Sequence, residues 1–402
     1  MPSRKRRVLL VVAVAELLAM SLWFSATAAA PELAAEWGLT DAETAWLTTA
    51  VQLGFVVGAL LSSALTLSDV IRPRYLVAGS AVAGAVLTAT IAAAVSSALP
   101  AIGLRFLTGV ALAGVYPPGM KLLAGWFREG RGFAIGVLVG SLTVGSALPH
   151  LIRAVGGVGQ PRVVLYGSAV LAAVGGLLAL LIEPGPYQAP AAPFDPGAIG
   201  RILRDRGTML ANGGYFGHMW ELYAVWTWIP AYLVASIAAS GGDESAGLAS
   251  LLAFATIAVG GVGAVAAGSA ADRFGRTRVT SASMAVSGLA CLAAGVVFGR
   301  SLLLLVPFVL IWGVAIVADS AQFSAAVSEL AEPSYVGTAL TLQTAIGFLL
   351  TTISIQLIPV VVDAVGWRWA FAPLVVGPLL GTLSMQWLGR LPDAAKLAGG
   401  RG

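Results

Sequence analysis

Gly268-Ser269-Ala270-Ala271-Asp272-Arg273-Phe274-Gly275-Arg276-Thr277-Arg278 closes one apolar run of this sequence and leads into the next. About two hundred residues earlier a worn copy of the same phrase carries Asp69, Arg72 and Arg74. The surroundings repeat as well. A proline near the end of an apolar run precedes each Asp, Pro31 before Asp69 and Pro230 before Asp272, and a Gly-led run opens after each, at Gly132 and Gly337. An internal duplication in so apolar a chain is the mark of a protein built from two related membrane-embedded halves.

Composition assigns the solvent. The chain is 58% hydrophobic and 10% charged, against roughly 25% charged residues in a soluble domain. That leaves too little polar side chain to cover a globule of 402 residues, so lipid has to do so. Crossing a bilayer takes about 20 mostly apolar residues. Twelve such runs can be placed, at about 8–30, 45–67, 75–95, 101–122, 133–152, 162–182, 209–236, 247–270, 279–299, 302–325, 337–361 and 367–388. The expected fold is therefore all-α and integral to the membrane, with twelve transmembrane helices in two pseudo-symmetric halves of six. Residues 1–183 form the first half, 184–208 a linker and 209–402 the second half.

The linker reading rests on Pro184, Pro186, Pro190, Pro193 and Pro196, followed by Arg201, Arg204 and Arg206, with a short amphipathic helix expected near Ile199–Leu203. Threading the runs from an inside N-terminus puts the basic residues at 4–7, 72, 74, 121, 128, 131, 201, 204, 206, 273, 276, 278, 390, 396 and 401 on one side. Only Arg153, Arg162, Arg300 and Arg368 fall on the other. By the positive-inside rule both termini are expected to be cytoplasmic, in a multi-pass protein of the cell membrane, of the bacterial inner-membrane type. The pI of about 9.4 does not point to nucleic acid, because the basic residues sit in short loops without stacking aromatics between them. The first run contains Glu16 and is too long for the core of a secretory signal.

These features resemble the major facilitator superfamily over essentially the whole chain: twelve runs in two halves, with the Gly-x-x-x-Asp-Arg-x-Gly-Arg phrase after runs two and eight. Arg105-Phe106-Leu107-Thr108-Gly109 with Gly114 and Pro117 is similar to the Arg-x-x-x-Gly motif of that family's fourth helix. Run five, with Gly136, Gly140, Gly145 and Pro149, resembles a motif associated with antiporters, although Gly-rich runs occur in any membrane bundle. A more distant similarity points to the nitrate and cyanate branch, but runs two and eight hold no buried Arg. The resemblance implies a transporter that works by alternating access, in which helices 1, 4, 7 and 10 line a central cavity.

Buried charge is the next guide, since each ionisable side chain in hydrocarbon is costly unless paired or facing water. Such residues are few: Glu16 in run one, Arg105 in run four, His218 and Glu221 in run seven, and Asp319 in run ten. They fall on the four helices that the resemblance places around the cavity, and form the expected substrate and proton pathway. His218 and Glu221 stand at i and i+3 and share a helix face, which suits either a relay or a satisfied pair. Trp23, Phe24, Trp220 and Tyr223 are the expected aromatic walls, while Gln52, Gln322, Gln343 and Gln356 offer hydrogen bonds to a small polar substrate.

The repeated phrase reads as a conformational latch made by Asp69 and Arg72 in the first copy and Gly268, Asp272, Arg273, Gly275 and Arg276 in the second. A carboxylate at a helix end can meet the backbone N–H groups that open a neighbouring helix and pair with a nearby Arg, while glycine permits close approach. In the first copy the glycine positions hold Leu65 and Arg72, and Pro73 replaces the final Arg, so that latch is expected to be weaker.

The expected activity is secondary transport of a small organic or drug-like solute, with efflux as one direction, protons as the coupling ion and a monomer as the working unit. The alternatives are a small-organic-anion permease or uniporter using Arg105 and, from a different class, a polytopic membrane sensor or enzyme. No enzyme motif, cofactor or metal is expected: the chain has two His and one Cys, Cys291, and no nucleophile phrase or phosphate loop.

Overall fold

A computed structural model of the chain describes residues 2–127, 131–187, 195–242, 246–332 and 335–402. Arg128, Pro190 and Pro193 lie outside the described residues, as do the side chains of Asp69 and Arg131 and the surroundings of Gly132. The described chain is helical throughout, as its composition requires: within hydrocarbon every backbone N–H and C=O must be satisfied inside its own segment. Among the described residues eleven helices are long and apolar enough to cross a membrane. With the first helix, α1 (Pro2–Met20), they are α2 (Asp41–Ala64), α3 (Pro73–Ala94), α4 (Ala98–Ala124), α5 (Phe133–Gly157), α6 (Pro161–Ala179), α7 (Arg206–Ala239), α8 (Ala246–Phe274), α9 (Arg276–Val297), α10 (Leu302–Leu330), α11 (Val336–Val365) and α12 (Trp367–Leu388).

The first run departs from the expected single span of 8–30. After α1 the chain turns at residues 21–24 and resumes as Ser25–Ala28 and Ala30–Trp37. Other spans are also interrupted, α4 at residues 113–115, α10 at Asp319 and α12 at residues 370–371. The α4 break has a covalent cause: Pro117 and Pro118 bring no N–H to bond the carbonyls one turn back. The expected amphipathic segment is a helix at Ile199–Arg204.

The two sets of six helices meet along two seams, α2 with α11 and α5 with α8. The second seam depends on glycine. A Cβ at Gly261 would stand 3.1 Å from the Gly140 carbonyl oxygen, and one at Gly140 would stand 3.2 Å from that of Gly261, so the backbones pack directly against each other. Along the first seam Gln356 Nε2 donates to Thr49 Oγ1 at 3.3 Å, and the Ser63 and Thr341 hydroxyls are 3.3 Å apart. Both termini lie on one face. There Arg4 pairs with Glu183, just beyond α6, while Ala398 bonds Glu329 of α10 and residues 401–402 pack against the α8–α9 turn.

Candidate functional site: a ring-floored cavity between the halves

A cavity of about 640 Å3 lies between the two sets of helices. Its inner end is a cluster of rings from both halves, Trp23 and Phe55 from the first, Tyr223, Trp226 and Phe348 from the second. Their centroids are spaced 4.8 Å for Phe55–Phe348, 5.0 Å for Trp23–Phe55, 5.2 Å for Tyr223–Phe348 and 5.6 Å for Tyr223–Trp226. From this floor the cavity runs past Tyr116, Tyr215 and Thr344 to Thr66, Lys121, Gly125, Tyr187 and Gly337, at helix ends on the face that carries the termini.

Trp23 reaches the floor because α1 breaks there. Three i→i−3 backbone bonds carry the chain through the turn, ending with Trp23 N to Met20 O at 3.0 Å. The Ser21 hydroxyl bonds the Leu18 and Ser168 carbonyls at 2.6 and 3.0 Å, and Ser25 bonds Leu22 O at 2.9 Å. A broken helix leaves carbonyls without donors, and Arg105 supplies them. Its guanidinium donates to Leu22 O at 2.8 Å, Leu47 O at 3.1 Å, Ser25 Oγ at 3.1 Å and the Trp23 carbonyl. Arg105 is fully buried and outside the cavity wall. It therefore neither reaches the interface nor faces a solute.

None of the other four expected pathway charges lines the cavity; all stand behind its wall. His218 Nδ1 lies 2.9 Å from Asp319 Oδ1, both buried, although the approach is off-axis for a hydrogen bond. His218 thus meets α10 across the bundle instead of the Glu221 one turn along its own helix. Glu221 turns toward α9, where Cys291 Sγ is 3.4 Å from its Oε2. Asp319 forms the break in α10, between the wall residues Val317 and Ser320. The Tyr215 ring, itself in the wall, lies 6.3 Å from that of His218. Glu16 is buried between α1 and α4, its carboxylate beside Gly119, and its Oε1 has no hydrogen-bond partner.

Among the expected aromatics Trp23 and Tyr223 are in the wall. Phe24 stacks behind Tyr223 at 6.1 Å, and Trp220 packs on α12 against Gly377. The four glutamines also lie off the wall: Gln356 bonds Thr49, Gln343 bonds Asn212 at 3.0 Å, Gln322 bonds Arg276 at 2.6 Å, and Gln52 is buried without a partner. Phe55, Tyr116 and Phe348 were not singled out in the sequence, where they look like ordinary apolar residues of their spans. Among the described residues, no group of three or more His, Cys, Asp or Glu side chains could hold a metal ion.

Ionic ties stand at both ends of the bundle. On the terminus face Arg276 binds Glu329 of α10 through Nε at 2.8 Å and Nη2 at 2.6 Å, and its Nη1 reaches Gln322. Asp272 is peripheral, 55% exposed and 3.8 Å from Arg276, and Arg273 is exposed. Gly275 holds φ +97°, and the Arg401 and Gly402 carbonyls sit against the space a Cβ would fill. Thr277 donates to Gly402 O at 2.8 Å, Ala398 N donates to Glu329 at 3.1 Å, and Arg401 reaches the Asp272 carbonyl. Nearby, the hydrogen bond to Asp393 holds Lys396 above the ordinary lysine pKa. In the first copy of the phrase Arg72 is exposed, and Arg74 lies over the Tyr75 ring.

At the opposite face Arg153, in a π-helical turn ending α5, pairs with Glu32 at 2.8 Å and donates to Ser250 Oγ of α8 at 2.6 Å. One side chain therefore ties the first span to both sides of the α5–α8 seam.

A family model described as Major Facilitator Superfamily matches residues 12–261. No curated protein matches the chain in sequence. Among solved structures, the chain is similar to the nucleoside transporter NupG, in a mutant form, at 15% identity and TM-score 0.70, covering 95% of this chain and 99% of that one. It is also similar to a bacterial homologue of the human lysosomal transporter Spinster. The inward-facing, occupied form is 15% identical with TM-score 0.70, and the unoccupied form 14% identical with TM-score 0.71; each alignment covers 96% of this chain and 97% of that one.

Proposed function

We propose that this chain, which belongs to the major facilitator superfamily and is a multi-pass membrane transporter, carries a small organic solute by alternating access coupled to protons. The observation that carries this reading is the cavity, whose floor takes rings from both halves and whose mouth lies at the terminus face. A rocking motion that parts Trp23 and Phe55 from Tyr223 and Phe348 would open the cavity's other end. Arg153 would have to release Glu32 or Ser250, and the Arg276–Glu329 cluster on the terminus face would have to rearrange. Each tie favours one arrangement over the other, as a two-state carrier requires.

The terminus face is assigned to the cytoplasm on the asymmetry of basic residues, and the protein is read as working as a monomer in the cell membrane. The arrangement is then inward-facing. For coupling, support comes from His218 and Asp319, a buried acid and base at the break in α10, one residue from the cavity wall. Binding of a proton there would change the electrostatics of a helix whose break abuts the solute. Glu16, behind Tyr116, and Glu221, beside Cys291, are the other acids available for proton exchange. The test is uptake into proteoliposomes under an imposed pH gradient, across a panel of solutes. Solute accumulation that follows the gradient and collapses with a protonophore is expected. Uptake that ignores the gradient would leave a uniporter, and no uptake of any solute would remove the transport reading.

A further inference from the structure

Resting on the transport reading, we infer that the cavity accepts an uncharged, ring-bearing solute that offers hydrogen-bond acceptors. Among the described residues no Asp, Glu, Arg or His lines the wall, and its charged side chain, Lys121, is at the mouth. The floor is aromatic, and the polar groups above it are hydroxyls such as those of Tyr116, Tyr215, Ser320, Thr341 and Thr344. A charged solute in contact with the floor would lose water and meet no opposite charge there, a desolvation that hydroxyl groups only partly offset. Fused rings lose little by leaving water and gain dispersion and quadrupole contacts with the floor.

Open aromatic faces would attract an organic cation. Here those faces are largely taken up by one another, with Trp23 tilted at 54° to Phe55 and Phe348 at 52° to Tyr223. An organic anion would find no cationic partner at the floor, since Arg105 is enclosed by backbone carbonyls. Two wall residues also leave donors unused: the indole N–H groups of Trp23 and Trp226 are buried without an acceptor. An ether, carbonyl or alcohol oxygen on the solute would accept from the wall hydroxyls, and from an indole N–H that turned toward the cavity. A volume of about 640 Å3 is within the range of sites for drug-sized molecules.

The test uses one ring frame with three head groups: anthracenylmethanol, anthracene carboxylate and anthracenylmethyl-trimethylammonium. Each is titrated into the full-length protein in lipid nanodiscs, with protein-free nanodiscs as the blank, and binding is read from quenching of tryptophan emission. The alcohol is expected to bind at least about tenfold more tightly than either charged analogue, a gap of about 1.4 kcal/mol. Phe348→Ala should weaken alcohol binding several-fold, and Phe348→Leu, which keeps volume without a ring, should weaken it too while showing that a packed floor survives. Tighter binding of a charged analogue, or no selectivity among the three, overturns the inference. Counterflow in proteoliposomes separates the two levels. Exchange of charged solutes but not of the alcohol would sink this inference and leave transport standing, whereas no exchange of any solute would sink both.

Discussion

The Arg276 guanidinium grips the Glu329 carboxylate with both Nε and Nη2, at 2.8 and 2.6 Å, and joins the start of α9 to the end of α10. Glu329 in turn accepts from Ala398 N, so the pair also fastens the segment that packs beneath Gly275. On the proposed latch reading its centre is Arg276, with a partner more than fifty residues on. Glu329→Gln is expected to slow transport about tenfold or more, because charge-assisted hydrogen bonds of this kind contribute about 1.5–3 kcal/mol. Asp272→Asn should have the smaller effect. Initial uptake rates, normalised to membrane-inserted protein, check the order, and a larger defect in Asp272→Asn would return the latch to the Asp.

Helix number and class were legible in the sequence because they follow from solvent: a chain with so few charges can only be read as a set of apolar spans. The rare buried charges were legible as well, since each stands out against hydrocarbon. Their partners were not. His218 and Glu221 share a face by spacing, yet residues three apart point about sixty degrees away from each other, enough for one to meet Asp319 on α10 and the other Cys291 on α9. Glu329 escaped notice because it sits beyond the apolar part of its run, where an acid draws no attention. Phe55 and Phe348 become floor residues only when α2 and α11 pack, which no local pattern records.

Arg105 is expected to act through stability. Replacing it with Ala would leave the Trp23 carbonyl without its donor and take one of two donors from Leu22 O, which keeps Ser25, and from Leu47 O, which keeps its own helical bond, and a buried unsatisfied group costs about 1–3 kcal/mol. Thermal unfolding in detergent should therefore fall markedly for Arg105→Ala and less for Arg105→Lys, which keeps the charge but fewer of the bonds. Solute affinity of the folded Arg105→Lys fraction should stay within about twofold of the parent. A normal melting temperature with lost affinity would make Arg105 a solute-binding group after all.

Arg153 should act as the tie on the opposite face. With Glu32→Gln or Ser250→Ala the guanidinium loses one of its two anchors, and the arrangement closed at that face becomes less populated. A cysteine replacing Thr49, in a Cys291→Ser background, then reports access from outside. Its labelling by a membrane-impermeant thiol reagent should rise several-fold in Glu32→Gln, and no change would mean that the α5–α8 glycine contact alone keeps that face shut.

Orientation is checked independently of transport. Reporter fusions after Arg74 and after Arg206 should read cytoplasmic, and one between Glu36 and Asp41 should read external, as the distribution of basic residues requires. A reversed pattern would turn the inward-facing assignment into an outward-facing one.

Coupling is assigned to the pair at the α10 break, and three neutralising substitutions rank the acids. Asp319 touches His218 and flanks two wall residues, so Asp319→Asn should abolish accumulation driven by a pH gradient yet retain counterflow of the solute, because the amide mimics only the proton-loaded form. Glu221 points away from the cavity toward Cys291, and Glu221→Gln should lower the rate several-fold without removing gradient dependence. Glu16, behind Tyr116, should show its effect mainly in solute preference when changed to Gln. His218→Asn, which keeps a polar group of similar reach but cannot take a proton, should reproduce the Asp319→Asn phenotype if the two act as one site. If Glu221→Gln alone uncouples, the proton moves on the α9 side of α7, and the His218–Asp319 contact is left with a packing role.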